Sequence, residues 1–320
     1  MISAGEVKEA PKMGTVQEAA LEIDNLVVNY GNKRAVDGLS LTVPAGSVYG
    51  FLGPNGAGKT TTIKTLLGLR KPDGGSARVL GYDIVTENTE LRARIGYVSE
   101  VNSLYDNLTV RQMNDFCRST ARKWDQSTVD RDTQMFGLPV GNKVRQLSKG
   151  MQRQLAFALA MGSEPDLLIL DEPTAGLDPV ARHDLLNTLV GEIAAQGKTI
   201  FFSSHILSEV EAVADWIGII RAGKLVVSDE LDTLKQRQKV LKLIYAEPPT
   251  PQEIATLQAM PGVARVEQEG RSVRIMVRQD VEGLASRIQD GSRDLRDVDI
   301  VDLNLEDLFL EYMKEEGNDH

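Results

Sequence analysis

Three compact apolar runs constrain this chain more than any other feature: Val48-Tyr49-Gly50-Phe51-Leu52, Leu167-Leu168-Ile169-Leu170 and Thr199-Ile200-Phe201-Phe202. A strand with one wet face alternates apolar and polar residues, whereas an unbroken apolar strand needs cover on both faces. Parallel sheets enclosed by helices give that cover, and the segments between the runs read as helical. The stretch before them alternates instead, as in Leu21-Glu22-Ile23-Asp24 and Leu39-Ser40-Leu41-Thr42-Val43. It reads as short antiparallel strands at a sheet edge.

The first run leads into Gly53-Pro54-Asn55-Gly56-Ala57-Gly58-Lys59-Thr60 and then a helical segment from Thr61 to Leu69. This is the phosphate-loop pattern G-x-x-x-x-G-K-S/T. Its glycines let backbone N–H groups turn inward around phosphate oxygens, and the following helix directs its positive end at them. Lys59 adds a point charge at the outer phosphates, Thr60 supplies a hydroxyl to Mg2+, and Thr61 belongs to the same nucleotide-binding set. The second run ends in Asp171-Glu172, at the carboxyl end of a buried strand, where open parallel sheets bind ligands. Asp171 is suited to holding Mg2+, and Glu172 is placed to accept a proton from attacking water.

At 320 residues the chain exceeds one ordinary domain, so one large and one small domain are expected. Its 46 acids outnumber its 36 Lys plus Arg, and the net charge of -10 argues against sequence-independent binding to nucleic acid or anionic lipid. The excess is local, since residues 240–320 carry 17 acids against 9 bases. One cysteine, Cys117, excludes an internal disulfide and reads as a small buried hydrophobe on a helix. No stretch approaches the roughly 18–20 apolar residues of a membrane span. Met1–Ala20 lacks the pattern of a secretory signal, so a cytosolic protein with a mobile leader over residues 1–20 is expected.

Thr109 and Gln112 stand three apart as a capping box, with Leu108 and Met113 as a staple across the first turn. Met113, Phe116, Cys117, Thr120, Ala121 and Trp124 then recur at helical spacing, which predicts a helix over 108–124 within a mostly helical insertion over about 105–163. After residue 224 the spacing predicts strands at 240–246, 263–269, 272–278 and 298–303, and helices at 251–259, 281–290 and 305–316. The order βαββαβ suggests a ferredoxin-like domain over 240–320.

Further residues carry a family resemblance over roughly 21–235. Leu147-Ser148-Lys149-Gly150-Met151-Gln152 resembles the signature LSGGQ, Ala175-Gly176-Leu177-Asp178 the D-loop, and Ser203-Ser204-His205 the switch-histidine segment of ATP-binding subunits of ABC transporters. The implied fold is α/β: a P-loop ATPase core with an antiparallel β subdomain and an inserted helical subdomain, plus the small C-terminal α+β domain. The resemblance further implies two copies facing head to tail, with ATP on one phosphate loop capped by Ser148 and Gly150 of the other. His205 would touch the γ-phosphate, Tyr30 would stack on adenine, and Asp178 would communicate across the dimer. Taken alone, that histidine reads as structural and that tyrosine as edge-strand packing.

Two departures stand out. Glu100 occupies the position where the family usually has glutamine; a carboxylate can approach Mg2+ but cannot donate amide hydrogen bonds. Lys149 and Met151 replace a glycine and the glutamine of the signature. The resemblance implies a cytoplasmic ATPase bound to the membrane through an integral-membrane subunit and paired with a second copy or a related ATPase subunit. Leu104 and Tyr105 lie where the family docks that subunit, or else pack within the helical insertion. The ending Leu305-Glu306-Asp307-Leu308-Phe309-Leu310 resembles export-type subunits. The alternatives are a soluble ABC protein acting on ribosomes or DNA, and a nucleotide-dependent scaffold; one phosphate loop, no coiled-coil run and the acidic balance disfavour nucleic acid as a partner.

Overall fold

A computed structural model describes residues 18–101, 103–237, 239–277, 280–291 and 294–314. The leader expected over 1–20 thus lies, up to residue 17, outside the described residues. Strands β1 (Ala19–Tyr30) and β2 (Lys33–Pro44) are followed by β3 (Val48–Leu52) and helix α1 (Lys59–Leu66). Next come β4 (Gly74–Val79), β5 (Tyr82–Asp83), α2 (Asn88–Arg92) and β6 (Ile95–Val98).

The first two strands correct the expectation of short edge strands. Each is 12 residues long, and with β4 and β5 they form a separate antiparallel sheet of order β2-β1-β4-β5. The physical reason is a bulge. Asp24-Asn25 has the composition of a turn, yet Asn25 takes φ 52 within a register shift between Ile23 and Leu26, and the strand continues beyond it.

The three apolar runs behave as their pattern requires. With β7 (Leu167–Asp171), β8 (Thr199–Ser204), β9 (Trp216–Arg221) and β10 (Lys224–Glu230), β3 and β6 form a sheet of order β10-β9-β3-β8-β7-β6. All pairings from β6 to β9 are parallel, and every residue of β3, β7 and β8 is buried. Helix α6 (Pro179–Gln196) links β7 to β8, and α7 (Leu207–Val213) links β8 to β9.

Between β6 and β7 lie α3 (Val110–Thr120), α4 (Gln126–Met135) and α5 (Lys149–Gly162). The capping box forms as the spacing predicts: the Gln112 N–H donates to Thr109 Oγ1 at 3.2 Å and the Thr109 N–H to Gln112 Oε1 at 3.0 Å. The stripe is shorter than predicted, because α3 ends at Thr120 and leaves Ala121 and Trp124 beyond it. Met113 is buried, and Cys117 is half-buried beside it, where burial pushes its thiol pKa up. Phe116 turns to the surface and meets Tyr105 edge-on at 5.2 Å.

Asp125 caps α4. Its carboxylate accepts from the Ser127 and Thr128 hydroxyls and from both backbone N–H groups, and these bonds, Ser127's foremost, hold its pKa at about 2. The folded value lies below the unfolded ~3.9, so the contribution is complete above that value and lost as pH falls toward the folded one. Asp125→Ala should therefore lower stability by ~1 kcal/mol at neutral pH. The deficit should shrink between about pH 4 and pH 2 in denaturant titrations; a constant deficit would contradict the assignment.

The C-terminal part begins after α8 (Leu231–Arg237) and comprises β11 (Lys239–Tyr245), α9 (Pro251–Gln258), β12 (Val263–Glu269), β13 (Ser272–Val277), α10 (Val281–Gly291), β14 (Leu295–Asp302) and α11 (Leu305–Lys314). Its antiparallel sheet has order β12-β13-β11-β14, the arrangement that the βαββαβ order predicts. Strand β14 starts earlier than expected because Leu295 still pairs with Tyr245 past a register shift. Leu241, Leu243, Val273 and Ile275 pack with Leu284 and Ile288 of α10. On the other face, Val240 and Met276 join Leu305 and Leu308 of α11 in the same apolar cluster as Leu52, Leu168 and Leu170. The C-terminal sheet is therefore continuous with the central core. Arg221 Nη1 donates to the carbonyls of Tyr312 and Met313, at 3.2 and 2.8 Å, and ties the end of α11 to β9.

Candidate functional site

The phosphate loop joins β3 to α1 across the carboxyl edge of the parallel sheet. Gly56 takes φ 81 with open space around it, whereas the other two glycines answer to close approach. A Cβ on Gly53 would stand 2.4 Å from the Ile220 carbonyl oxygen, and one on Gly58, at φ 116, would stand 2.6 Å from that of Ala35. Ala57 is buried behind the loop, its N–H bonded to the Pro54 carbonyl at 3.1 Å. The first turn of α1 has no acidic residue, so its positive end is uncompensated and suited to an anion.

A cavity of about 490 Å3 opens over this loop. Tyr30, Asn55, Gly56, Gly58, Lys59, Thr60, Thr61, Glu100 and Glu172 all line it, which brings together most of the residues named from the motifs. Lys59 is buried, and its ammonium donates to the Gly53 carbonyl at 2.7 Å and sits 3.5 Å from that of Pro54. It also stands 3.1 Å from Glu172 Oε1, while Glu172 Oε2 lies 2.7 Å from His205 Nδ1. Lysine, glutamate and histidine thus form one chain of contacts, of which Lys59 and Glu172 line the cavity.

Asp171 lies beneath them. Its Oδ1 accepts from Ser203 Oγ at 2.7 Å and from Thr60 Oγ1 at 3.2 Å. The concentration of carboxylates is felt by Tyr97, whose phenol is pushed up to about 12, by burial first and then by Asp171 and Glu100. A hydroxyl and a carboxylate beside a phosphate-binding loop, with the Glu100 carboxylate at the rim, are the oxygen donors that suit Mg2+. Among the described residues no group of three or more His, Cys, Asp or Glu could hold a metal ion.

Tyr30 is 47% exposed and carries the Arg70 guanidinium over its ring, 4.6 Å from the centroid. Ser148, Gly150 and Asp178 do not line the cavity of their own chain. Ser148 caps α5, accepting from the Met151 N–H at 3.1 Å, and Asp178 caps α6, accepting from the Val180 and Ala181 N–H groups, both at 3.0 Å. Gly150 is buried against Leu177 and Ala181.

Two residues had no role in the sequence reading. Ser203 accepts from the Glu172 N–H at 2.9 Å while donating to Asp171, and so aligns both carboxylates. Arg153 bonds the Glu172 carbonyl at 2.7 Å and the Glu100 carbonyl at 2.8 Å. Ser203 stood in a quoted motif; Arg153 had no signal, since a basic residue on a helix ordinarily faces solvent. Burial lowers its pKa, and Glu100, Glu172 and Asp171 oppose that shift.

A phosphate loop between a buried parallel strand and a helix, flanked by strand-end carboxylates, defines a P-loop nucleoside triphosphatase. Residues 36–175 match the family model described as ABC transporter. The chain is 34% identical over 307 residues to the Nod factor export ATP-binding protein I of Paraburkholderia xenovorans (strain LB400), covering 94% of this chain and 99% of that one. It is 39% identical over 221 residues to the bacitracin transport ATP-binding protein BcrA of Bacillus licheniformis, covering 68% and 72%. A solved ATP-binding subunit of an ABC transporter superposes with a TM-score of 0.62 at 28% identity, covering 68% of this chain and 92% of that one. The chain belongs to the ABC transporter ATP-binding proteins, binds nucleotide and is an ATP hydrolase. Among the described residues no helix is long and apolar enough to cross a membrane.

Proposed function

We propose that this chain drives export through an integral-membrane partner by ATP-dependent closure of two cassettes, each site being shared between two chains. The observation that carries this reading is the division of the motifs. Lys59, Thr60 and Glu172 line one cavity and His205 contacts Glu172, while Ser148, Gly150 and Asp178 of the same chain lie outside the cavity. A second copy, or a related subunit, supplies the missing wall. Ser148 and Gly150, at the N-terminal end of α5, meet the γ-phosphate of the ATP bound to the partner's loop.

In this reading Lys59 shifts from Glu172 toward the phosphates, and Tyr30 offers its open ring face to the adenine. Thr60, Asp171 and Glu100 would hold Mg2+, which when bound would supply neutralisation of the charge on the phosphates. Glu172 accepts a proton from water as the water oxygen attacks the γ-phosphorus. The bond from that phosphorus to the bridging oxygen breaks, and ADP leaves with the electron pair. His205 holds Glu172 and the water in line. Lys149 adds a positive charge beside the capping residues, where a phosphate benefits from it.

Export is supported by relatives named for Nod factor export, for bacitracin transport and for daunorubicin/doxorubicin resistance in Streptomyces peucetius. These transport relatives favour a membrane partner, at the cytoplasmic face, over ribosome or DNA as the object of the ATPase. Val101 and Tyr105 are 76% and 56% exposed beside Glu100, whereas Leu104, named with Tyr105 from the sequence, packs into the helical core. Docking therefore falls to Val101, Tyr105 and Phe116. Replacing Val101 and Tyr105 with glutamate should abolish copurification of the membrane subunit and leave ATP binding unchanged; an intact complex would remove the docking assignment. Closure itself is tested by size-exclusion chromatography with ATP, as developed in the Discussion.

A further inference from the structure

Strands β6 and β7 run parallel, and their last paired residues are Val98 and Leu170. Glu100 and Glu172 each lie two residues beyond that pair, where the ladder has ended and the carbonyls need other donors. Arg153 supplies one to each, and the Ala175 N–H gives the Glu172 carbonyl a second at 3.2 Å. From α5 Arg153 reaches the Glu172 carbonyl with Nη1 at 2.7 Å and the Glu100 carbonyl with Nη2 at 2.8 Å. A planar guanidinium fork can hold two neighbouring acceptors at once; a single ammonium holds them less rigidly.

The Glu172 backbone needs such holding. Its φ of 49 lies in the left-handed region, which side-chain-bearing residues adopt at a cost and keep only when the surroundings determine it. Both ends of the residue are clamped by side chains from other elements: its N–H by Ser203 Oγ at 2.9 Å from β8, its carbonyl by Arg153 from α5. That conformation aims the carboxylate between Lys59 and His205.

We propose that Arg153 is a positioning residue for hydrolysis, a tie through which the seating of α5 sets the aim of Glu172. The proposal rests on the reading of Glu172 as the general base. It implies that the helix presenting Ser148 and Gly150 to a partner's nucleotide also governs the base of its own site. Arg153 touches no substrate in this scheme and acts through the Glu172 backbone.

The test uses the purified full-length chain with ATP and Mg2+. Arg153→Gln is expected to lower kcat about ten- to a hundredfold, with KM and the dissociation constant of a nonhydrolysable ATP analogue within about twofold of the parent. Arg153→Lys, able to hold one carbonyl at a time, should recover part of the rate. In a Glu172→Gln background, Arg153→Gln should change the residual single-turnover rate by less than about twofold. Unchanged kcat in Arg153→Gln overturns the proposal. So does an equal fold loss in the Glu172→Gln background, or a parallel loss of analogue affinity in both variants. Glu172→Gln alone reports on the base: normal turnover there overturns that reading, whereas a dead Glu172→Gln beside an active Arg153→Gln overturns only the tie.

Discussion

Glu172→Gln is expected to lower kcat by ~10²–10⁴-fold, the usual contribution of a positioned general base, while ATP-dependent dimerisation persists. The substitution preserves shape and removes the acceptor for the water proton. Lys59 keeps its bond to the Gly53 carbonyl, so the phosphate-directed charge stays in place when the carboxylate is gone. Phosphate release should fall, and size-exclusion chromatography should show a dimer with ATP that disperses when nucleotide is removed. Full turnover in this variant would falsify Glu172 as the base; a monomer in saturating ATP would count against closure driven by shared sites.

Lys59→Ala acts on binding instead. A hydrogen bond to a charged group contributes ~1.5–3 kcal/mol, so its loss at the outer phosphates should weaken ATP binding by about ten- to a hundredfold. A second effect comes from burial. Lys59 and Glu172 are an ion pair of which little is exposed, and removing one partner leaves a buried carboxylate whose remaining neighbour is His205. Thermal stability should therefore fall together with affinity. The double variant Lys59→Ala/Glu172→Gln removes both charges and should regain stability without regaining affinity. Equal melting temperatures for the single and double variants would show that the pair has no such role.

Much of the fold follows from local rules that leave a mark in the chain. Apolar runs at β3, β7 and β8 specify strands covered on both faces, and the Gly53–Thr60 loop is marked by Gly53 and Gly58, whose Cβ atoms would strike neighbouring backbone. Thr109 and Gln112 close their box because both partners lie within one turn. The Asp24-Asn25 bulge lets β1 run longer than the short strand expected, since a turn and a bulge use the same residue types and differ in whether a neighbouring strand continues the ladder.

The acidic excess gains a location of this kind. Asp297 and Asp299 lie on β14, an edge strand largely exposed to solvent, while Asp307 is buried and paired with Arg274. The same region that looked appended is joined to the ATPase core by Val240, Met276, Leu305 and Leu308. Nothing in the order βαββαβ announces that union, because the second face of a sheet is defined by what packs on it.

The chemistry divides along the same line. Phosphate loop and strand-end carboxylates could be named from residue order because each depends on a short segment and the element that follows it, whereas the role of His205 came only from the family resemblance. The 2.7 Å contact of His205 with Glu172, the pairing of Lys59 with Glu172 and the Arg153 fork join residues far apart in the chain. A segment's own sequence encodes its local conformation; which distant side chains meet depends on how parallel strands register and where helices seat. Residue order therefore sufficed for the ATPase motifs and the strand pattern, whereas packing determined how Glu172 is aimed and that the C-terminal sheet shares the core.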